Sequence, residues 1–385
     1  MKRIAVIGAG AMGSGIGQVA AMAGHEVMIF DAYPNAIEKS RDAILSSLNR
    51  LAAKNKFTDQ ESKAIFGRIY FVDKMESITG CDLVIEAIIE DVDEKRKIFE
   101  QVESIVGDDA IIATNTSSLS VTGLAKVLKK PDRFIGIHFF NPPVLMKLVE
   151  IIPALQTSEE VVQSAIGLIT SWDKIIVKAK DTPGFIVNRI ARPFYGEALR
   201  IAEEQIAEPS FIDQCMREVG GFKMGPFELM DFIGNDINES VTRTVWAAMY
   251  FDSRYKPSVM QANLVRAGWL GRKSGRGFYN YNSEITVPIA ESKIDKKEIA
   301  DRIIIMLINE ASEALHYGIA TKEDIDLAMT LGVNYPLGLL KWADQMGIDN
   351  CVRQMDTLFD VYHEERYRCS VLLRKMAASK QTFYA

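Results

Sequence analysis

Hydrophobic and polar positions follow two alternating patterns along the first 180 residues. Short β-branched runs favour strands, and longer runs with apolar residues at helical spacing favour helices. The predicted strands are RIAVIG, EVMIFD, RIYFV, DLVIEA, AIIATN, RFIGIHF and MKLVEII. Helices are predicted at MGSGIGQVAAMAG and AIEKSRDAILSSLNRLAAKNK. This alternation predicts an α/β domain with a doubly wound, mostly parallel sheet.

The pattern changes after DTPGF at 181–185, and the chain that follows is mainly helical. A polar stretch at 282–297 is typical of a linker. We therefore predict an α/β domain over residues 1–182 and an all-α C-terminal domain over 183–281. Beyond the linker, we expect a second helical module over 298–385.

The two helical segments match each other at a fixed offset. Four residue pairs lie 113 positions apart, namely Glu197 and Glu310, Asp213 and Asp326, Gly225 and Gly338, and Asp231 and Asp344. Coincidence of helical composition is the alternative explanation, but it does not account for an offset held without a gap. The pattern predicts that the second module is a duplicated copy of the first.

Composition narrows the classes of protein to consider. The chain has 385 residues, 48% of them hydrophobic and 25% charged, which suits a globular protein of two or three domains. The net charge of −6 argues against general nucleic-acid binding. The four cysteines are scattered without a CxxC spacing, so we expect reduced thiols in a cytoplasmic protein rather than disulfides or a zinc site. We expect no targeting segment, because structure begins near residue 2, and no membrane helix, because glycines interrupt residues 4–24.

The segment GAGAMG indicates a dinucleotide site of Rossmann type. It places Gly8, Gly10 and Gly13, with Ala11 and Met12 between them, after the first strand and at the start of a helix. The first glycine permits a tight turn, the second lets a pyrophosphate approach the backbone, and the third lets helix and strand pack closely. Amide groups at the helix start would then face the phosphates.

Asp31 ends the second predicted strand, 18 residues after Gly13. Its carboxylate can accept hydrogen bonds from both ribose hydroxyls and would repel a 2′-phosphate, which favours NAD over NADP. The alternative is that Asp31 only caps a turn. FAD is a weaker candidate, because the rest of the chain lacks further elements of a flavin site.

Two buried polar residues on consecutive predicted strands suggest acid–base chemistry. His138 lies in FIGIHFF, and Glu150 follows 12 residues later in KLVEII. Each is costly to bury alone, and a glutamate that accepts from His Nδ1 leaves Nε2 for proton transfer. The residues alone leave a hydrogen-bonded structural histidine equally possible.

Two further polar segments are candidates for binding. TNTSS follows the strand AIIA, and either Ser117 or Ser118 is expected to cap the helix LSVTGLAKVL while still offering a hydroxyl. Asn188 is a polar residue inside the apolar segment PGFIVNRI, where it could equally bond only a backbone carbonyl.

Together these motifs resemble the 3-hydroxyacyl-CoA dehydrogenase family. The resemblance extends from Lys2 to about Tyr281 and rests on GAGAMG, EAIIED, TNTSSLS, RFIGIHFFNPP, MKLVEII and DTPGFIVNRI. It implies an NAD-dependent oxidoreductase that converts (S)-3-hydroxyacyl-CoA to 3-oxoacyl-CoA reversibly, with short-chain substrates such as 3-hydroxybutyryl-CoA favoured.

The resemblance also implies roles for individual residues. His138 corresponds to the catalytic base and Glu150 to its orienting partner, while Ser117 and Asn188 correspond to contacts with the reacting oxygen. Cofactor contacts are implied at Glu90, Lys95, Asn115 and Asn141, and contacts with CoA at Ser47 and Lys54. The CoA positions lie at a lysine-rich helix end, which is otherwise typical of a solvated face.

The chain departs from simple members of that family by its second helical module. Asp301 stands where Asn188 would recur, so we expect the second copy to be structural rather than a second active site. The chain is then either a homodimer or a monomer whose two modules form an internal pseudo-dimer. Two other functions stay open: a β-hydroxyacid dehydrogenase of the 6-phosphogluconate dehydrogenase type, and a non-catalytic NAD-binding relative.

Overall fold

The computed structural model describes residues 2–282 and 294–384. The chain divides between Thr182 and Pro183 into two compact units. Most of the linker predicted over 282–297, namely residues 283–293, lies outside the described residues.

The first unit is an α/β domain built on one sheet. In its described residues the strands are β1 (Arg3–Ile7), β2 (Glu26–Phe30), β3 (Ile69–Val72), β4 (Leu83–Glu86), β5 (Ile111–Thr114), β6 (Phe134–Phe139), β7 (Leu148–Pro153) and β8 (Ile175–Lys178). The helices are α1 (Ala11–Met22), α2 (Pro34–Ala53), α3 (Asp59–Phe66), α4 (Val92–Ile105), α5 (Val121–Ala125) and α6 (Glu159–Thr170). The predicted α/β class is confirmed, and β8 is an additional strand.

The strand order determines where a ligand can bind. The order is β3-β2-β1-β4-β5-β6-β7-β8, and β1 to β6 are all parallel. Only the pairing of β6 with β7 is antiparallel among the described strands. The order reverses between β1 and β4, and ligands of such sheets bind beyond the carboxyl ends of the strands at that reversal.

Apolar side chains of β1, β2, β4, β5, β6 and β7 pack with α1, α2, α3 and α6 into one core cluster. Ile4, Val6, Ile29, Ile85 and Ile137 in this cluster are fully buried. Strands covered on both faces need continuous apolar runs rather than alternation, which is the pattern read from the sequence. The rigid sheet therefore holds the loops at its carboxyl edge in place.

The second unit is helical in its described residues, apart from two isolated β-bridges that join Arg276 to Gly271 and to Asn280. Its helices are α7 (Val187–Ile190), α8 (Arg192–Glu203), α9 (Pro209–Glu218), α10 (Pro226–Ile233), α11 (Asn235–Ala248), α12 (Val259–Arg266), α13 (Lys296–His316), α14 (Lys322–Gly332), α15 (Leu339–Met346), α16 (Ile348–Tyr362) and α17 (Val371–Ser379). Over both units the short 3-10 turns are Met75–Ile78, Pro131–Arg133, Ser253–Tyr255, Arg272–Ser274 and Glu365–Tyr367.

The predicted repeat has a structural counterpart. Asp213 accepts hydrogen bonds from the amides of Phe227 and Glu228 at the start of α10. Its counterpart Asp326 accepts from the amides of Leu340 and Lys341 at the start of α15. The same contact explains why glycine stands at positions 225 and 338. A Cβ on Gly225 or Gly338 would lie 2.3 Å from an atom of the aspartate. The two copies therefore share one internal hydrogen-bonding plan.

Each copy also buries a glutamate that is bonded by residues of the other copy. Glu197 of the first copy accepts from Arg302 and Tyr367, at 2.7 and 2.6 Å. Glu310 of the second copy accepts from Arg189 and Tyr255, at 2.7 and 2.5 Å. Each copy therefore donates hydrogen bonds to the buried glutamate of the other, which is the reciprocal pattern found across a two-fold axis between identical subunits.

The two copies differ where the first begins. Residues 183–203 contain a break between α7 and α8, whereas the corresponding 296–316 form the single helix α13. Gly184 has a φ of +76° and Phe185 a φ of +48°, so the chain winds left-handed just before α7. Asp301 lies inside α13, where it forms an ion pair with Lys297.

None of the helices among the described residues combines the length and the apolar character needed to cross a bilayer.

Candidate active site

The loop after β1 has the geometry that a dinucleotide needs. Gly8 has a φ of +108°, and its amide donates to the carbonyl of Phe30 at 2.8 Å. A Cβ on Gly13 would lie 1.8 Å from the carbonyl oxygen of Gly8, so α1 can approach the turn only with glycine there. These contacts require a tight turn at Gly8 and close packing at Gly13; a cofactor contact at either glycine stays a prediction.

Gly10 is different, because a Cβ there would meet no atom within 4 Å. Gly10 and Ala11 are exposed, and α1 begins at Ala11 with Gly10 as its N-cap residue; the neighbouring Met12 is half-buried. The open space lies at the amino end of a twelve-residue helix, where amide groups and the helix dipole favour an anion. These residues fit the pyrophosphate of a dinucleotide.

Asp31 lies beside this loop at the end of β2. Its carboxylate accepts from the amide of Ala9 at 2.7 Å and from that of Tyr33 at 2.9 Å. The carboxylate thus caps a turn, as the alternative interpretation expected. Because each carboxylate oxygen can accept more than one hydrogen bond, this does not prevent it from also binding ribose hydroxyls.

A buried ionic network lies beyond β4. Lys95 has a side chain only 1% exposed, and its ammonium bonds Glu86 at 2.6 Å and Glu90 at 3.3 Å. Glu86 also accepts from the amide of Ile88 and the hydroxyl of Thr114. In this structure Lys95 therefore holds Glu90 in place rather than lining an open surface.

Glu90 accepts several hydrogen bonds from the segment that follows β5. One oxygen accepts from the hydroxyls of Thr116 and Ser118, at 2.5 and 3.0 Å, and from the amide of Ser117 at 3.0 Å. Burial alone would raise the pKa of Glu90, but the Lys95 ammonium and these hydrogen bonds outweigh it and lower that pKa. An ionised Glu90 thus fixes the backbone at Ser117.

The predicted helix cap in this segment is wrong. Neither Ser117 nor Ser118 caps α5; Ser120 does, by accepting from the amide of Gly123 at 3.0 Å. Asp181 reinforces it by accepting from the amides of Val121 and Thr122. The helix is also shorter than predicted, because it begins only after this cap and ends at Ala125.

His138 and Glu150 form the predicted pair. They face each other directly in the antiparallel register of β6 and β7. Nδ1 of His138 lies 2.7 Å from a carboxylate oxygen of Glu150, and their side chains are 7% and 0% exposed. Opposed residues of an antiparallel pair point to the same face, which explains why two residues 12 positions apart meet. The arrangement selects the tautomer that carries its proton on Nδ1, and so directs proton exchange to Nε2.

The ends of β5 and β6 are joined by Asn115, whose side-chain oxygen accepts from the amide of Phe139 at 2.8 Å. Since the two strands are parallel neighbours, Ser117, which follows β5, and His138, the penultimate residue of β6, lie toward the same edge of the sheet. A cofactor contact for Asn115 stays a prediction.

A cavity of about 670 Å³ lies between the start of α1, one face of α2 and the loop after β6. Its lining includes predicted cofactor residues Gly10, Ala11 and Asn141, and the predicted CoA residues Ser47 and Lys54. Lys39 and Arg50 add two cations to the same wall. The structure therefore brings members of both groups of predicted binding residues to one cavity, while the other predicted cofactor residues do not line it.

Lys174 is a residue that sequence reasoning missed. Its ammonium donates to the carbonyls of Pro143 and Met146, at 2.6 and 2.7 Å, and thereby ties down the loop that carries Asn141. Burial, with the nearby Lys147, lowers the pKa of Lys174 to about 8.

Asn188 belongs to the second unit and lies in α7. Its backbone carbonyl accepts from Nε of Arg192 at 2.8 Å. Its predicted contact with a reacting oxygen stays a prediction.

The fold and these residues define an NAD-binding dehydrogenase whose histidine–glutamate pair lies in the same sheet that carries its dinucleotide loop. Comparison with known families agrees: the model for the 3-hydroxyacyl-CoA dehydrogenase NAD-binding domain matches residues 3–182, and that for the C-terminal domain matches 184–281 and again 299–382. The chain belongs to the 3-hydroxyacyl-CoA dehydrogenase family and is an NAD-dependent oxidoreductase.

Three relatives illustrate the range of similarity. A 3-hydroxyadipyl-CoA dehydrogenase of Escherichia coli K12 is 36% identical over 98% of both chains. The crystal structure of 3-hydroxybutyryl-CoA dehydrogenase from Escherichia coli K12 matches with a TM-score of 0.93, 35% identity and coverage of 98% of both chains. That of (S)-3-hydroxybutyryl-CoA dehydrogenase from Ralstonia eutropha matches with a TM-score of 0.71 and 40% identity, over 73% of this chain and 99% of that one.

Proposed function

We propose that this enzyme oxidises short-chain (S)-3-hydroxyacyl-CoA to 3-oxoacyl-CoA, reversibly, with His138 as general base. The observation that carries the proposal is the buried His138–Glu150 pair at the carboxyl end of β6, in the same unit as the dinucleotide loop. The names of the relatives support the substrate class.

His138 would take the proton of the C3 hydroxyl at Nε2 as the C3 hydrogen leaves. Bound NAD would supply the hydride acceptor, so that the products are 3-oxoacyl-CoA and NADH. Glu150 would stabilise the imidazolium that forms and keep the ring in its productive orientation. Ser117 and Asn188 would donate hydrogen bonds to O3 as negative charge develops there. In the reverse direction protonated His138 would act as the acid.

The cavity along α2 supports the assignment of CoA. Lys39, Arg50 and Lys54 place three cations on one wall, and the phosphates of CoA need cationic partners. Ser47 lies on the same helix and adds a hydroxyl. We propose that this wall holds the nucleotide part of the substrate.

The direct test is the loss of NADH absorbance while the purified protein reduces acetoacetyl-CoA. The assay is repeated with NADPH, with a long-chain 3-oxoacyl-CoA and with 3-oxoadipyl-CoA. We expect fastest turnover with acetoacetyl-CoA and NADH. Folded protein that binds NADH but turns over none of these substrates would overturn the proposal in favour of a non-catalytic relative, and preference for an acyl-CoA with a terminal carboxylate would change the substrate class.

The dinucleotide loop offers a matched test of cofactor binding. Gly10 and Gly107 both have open space where a Cβ would lie, and neither has a positive φ. We expect Gly10→Ala to raise the Kd for NADH roughly tenfold or more, because the methyl group would occupy the path of the pyrophosphate. Gly107→Ala should leave the Kd unchanged, and both variants should keep the wild-type Tm. Equal Kd values in a fluorescence titration would show that the phosphates do not approach Gly10.

We also propose that the protein is a cytoplasmic monomer in which the two helical modules act as an internal pseudo-dimer. The reciprocal bonds of Glu197 and Glu310 support this proposal, since each module donates hydrogen bonds to the buried glutamate of the other. The four buried cysteines form no disulfide, which suits a reducing compartment. Light scattering should report a mass near 43 kDa, and twice that mass would favour the homodimer.

A further inference from the structure

The loop between β6 and β7, residues 140–147, forms one wall of the cavity along α2 that is assigned to CoA, called the CoA cavity below. Asn141, Val144 and Leu145 of this loop line the CoA cavity. A second cavity, of about 270 Å³, lies behind the same loop, and Val144 lines both cavities. Because atoms that face a void make no contacts across it, a loop with open space on two sides gains little from packing. Its position must therefore depend on directed bonds.

Lys174 supplies such bonds from the second cavity, which it lines. The residue is 6% exposed, and its ammonium donates to the carbonyl oxygens of Pro143 and Met146 at 2.6 and 2.7 Å. Hydrogen bonds from a charged donor are among the strongest in proteins. Val144 and Leu145 lie between the two bonded carbonyls, so one ammonium fixes the part of the loop that faces the CoA cavity.

The sheet topology explains why Lys174 reaches this loop. Lys174 immediately precedes β8, which runs parallel to β7, and β7 runs antiparallel to β6. The start of β8 therefore lies at the same edge of the sheet as the end of β6. The amide of Ile175 donates to the carbonyl of Lys147 at 2.9 Å, which joins the two segments beside the ammonium.

The loop also packs on α1. A Cβ on Gly15 would lie 2.7 Å from Cδ of Pro143, so the proline ring rests directly on the helix. This contact limits how closely the loop approaches α1. It gives little resistance to movement away from the helix, because individual contacts of this kind are weak. The bonds of Lys174 are thus the stronger restraint of the two.

We propose that Lys174 is a positioning residue for the binding of acyl-CoA: its ammonium fixes residues 143–146 as a wall of the CoA cavity. Lys174 acts through the backbone of the loop, from behind that wall. This inference rests on the assignment of the cavity to CoA in the proposed function.

The chemical step does not depend on this restraint. His138 and Glu150 are held opposite each other by the register of β6 and β7. The end of β6 is held separately, because the amide of Phe139 donates to the side chain of Asn115 at 2.8 Å. Loss of the Lys174 bonds should therefore weaken the binding of acyl-CoA and leave kcat almost unchanged.

The first test compares Lys174→Met with Arg133→Met. Arg133 is a matched control: it is 5% exposed, and its guanidinium donates to the backbone carbonyls of Gly107 and Ala110, at the opposite edge of the sheet. We expect Lys174→Met to raise the Kd for CoA and the KM for acetoacetyl-CoA about tenfold, because binding must then also order the loop. Its kcat should stay within about threefold of the wild type, as for a loss of uniform binding.

Arg133→Met should lower Tm at least as much as Lys174→Met, since Arg133 also pairs with Glu103 at 3.7 Å. Its Kd and KM should stay within about twofold of the wild type, because the two edges of the sheet are independent. Titration calorimetry gives the Kd values, and steady-state kinetics gives KM and kcat.

Three results would overturn the inference while leaving the proposed function intact. They are an unchanged Kd in Lys174→Met, a similar rise of Kd in Arg133→Met, and a loss of kcat in Lys174→Met without a change in Kd. If the wild-type protein neither bound CoA nor reduced acetoacetyl-CoA, the proposed function would fail, and the inference with it.

A second test uses the protonation of Lys174. Burial, with the nearby Lys147, lowers the pKa of Lys174 to about 8. The charged groups that face it are Lys147 from the loop and Asp173 from its own turn, while α1 and Phe57 present apolar side chains. The hydrogen bond with Lys147 lowers the pKa of Asp173, so Asp173 stays ionised above neutral pH. A neutral Lys174 amine makes weaker hydrogen bonds than the ammonium, so the affinity for CoA should fall as the pH rises from 7 to 9.

Lys174→Arg is the reference for this pH profile. A guanidinium stays charged over this range and still has enough donors for both carbonyls. Between pH 7 and 9 the Kd for CoA should rise at least about threefold more in the wild type than in Lys174→Arg, because only the wild type loses the charged donor. Titration of CoA itself is the same in both series and cancels. Lys174→Met also lacks the titrating group, so either variant serves if the other does not fold. Parallel pH profiles in the wild type and the variant would overturn the inference.

Discussion

Replacing His138 with glutamine is expected to lower kcat for acetoacetyl-CoA reduction by roughly 10³-fold, within the range for removal of a general acid–base group. Glutamine can still donate to Glu150, so the pair keeps a hydrogen bond, but it cannot exchange a proton with the substrate oxygen. Binding of NADH and of the acyl-CoA does not need that proton, so both KM values should stay within a few-fold of the wild type. Steady-state kinetics with NADH and acetoacetyl-CoA each varied in turn measures kcat and both KM values.

His25 supplies the matched control for the alternative of a structural histidine. It is also buried, at 8% exposure, in the same unit, and its Nδ1 accepts from the amide of Lys2 at 3.2 Å. His25→Gln should reduce Tm about as much as His138→Gln while leaving kcat near the wild-type value. If His138→Gln lost only Tm and kept its kcat, His138 would be a structural residue and the proton would have another acceptor.

The strands of the first unit could be predicted because the signal for them is local. A parallel sheet covered on both faces makes each strand a short apolar run, and such runs are visible in the sequence. The His138–Glu150 pair followed from the same pattern, since two costly polar groups stood on consecutive runs. The register that places them opposite each other is the part that only the structure supplies.

Glu86 shows that the same reasoning could have predicted a second buried polar contact. It lies in LVIE, as thoroughly buried as Glu150, and its partner Lys95 is only nine positions away. A glutamate within an apolar run must find a donor or a cation. Applied to DLVIEA, that argument predicts a buried ion pair at the end of β4, which is where Glu90 and the Ser117 segment are organised.

The contacts that escaped prediction are those between residues distant in sequence. Asp181 caps α5 from 61 positions away, and Arg189 meets Glu310 across 121 positions. No periodicity carries this information, because each residue is ordinary in its own segment. The repeat allows part of this information to be predicted, because the 113-residue offset shows that Glu197 and Glu310 are equivalent. It does not show that each glutamate is bonded by residues of the other copy.

The second large effect is expected on replacing Asp31, and it concerns the preference for NADH over NADPH. Asp31→Ser is expected to lower kcat/KM for NADH roughly 10- to 100-fold, which corresponds to losing hydrogen bonds of ribose hydroxyls to a charged group. It should lower kcat/KM for NADPH much less or raise it, because the charge that repels a 2′-phosphate is gone. The measured quantity is the ratio of the two kcat/KM values, and we expect it to move toward NADPH.

Asp82 controls for the backbone contacts that Asp31 also makes. Its carboxylate accepts from the amide of Arg3 at 2.7 Å, much as that of Asp31 accepts from Ala9, but it lies just before β4, at the amino edge of the sheet. Asp82→Ser should therefore lower Tm without changing the cofactor ratio. An unchanged ratio in Asp31→Ser would mean that Asp31 serves only as a turn cap, and the preference for NAD would then have to come from other residues around the loop after β1.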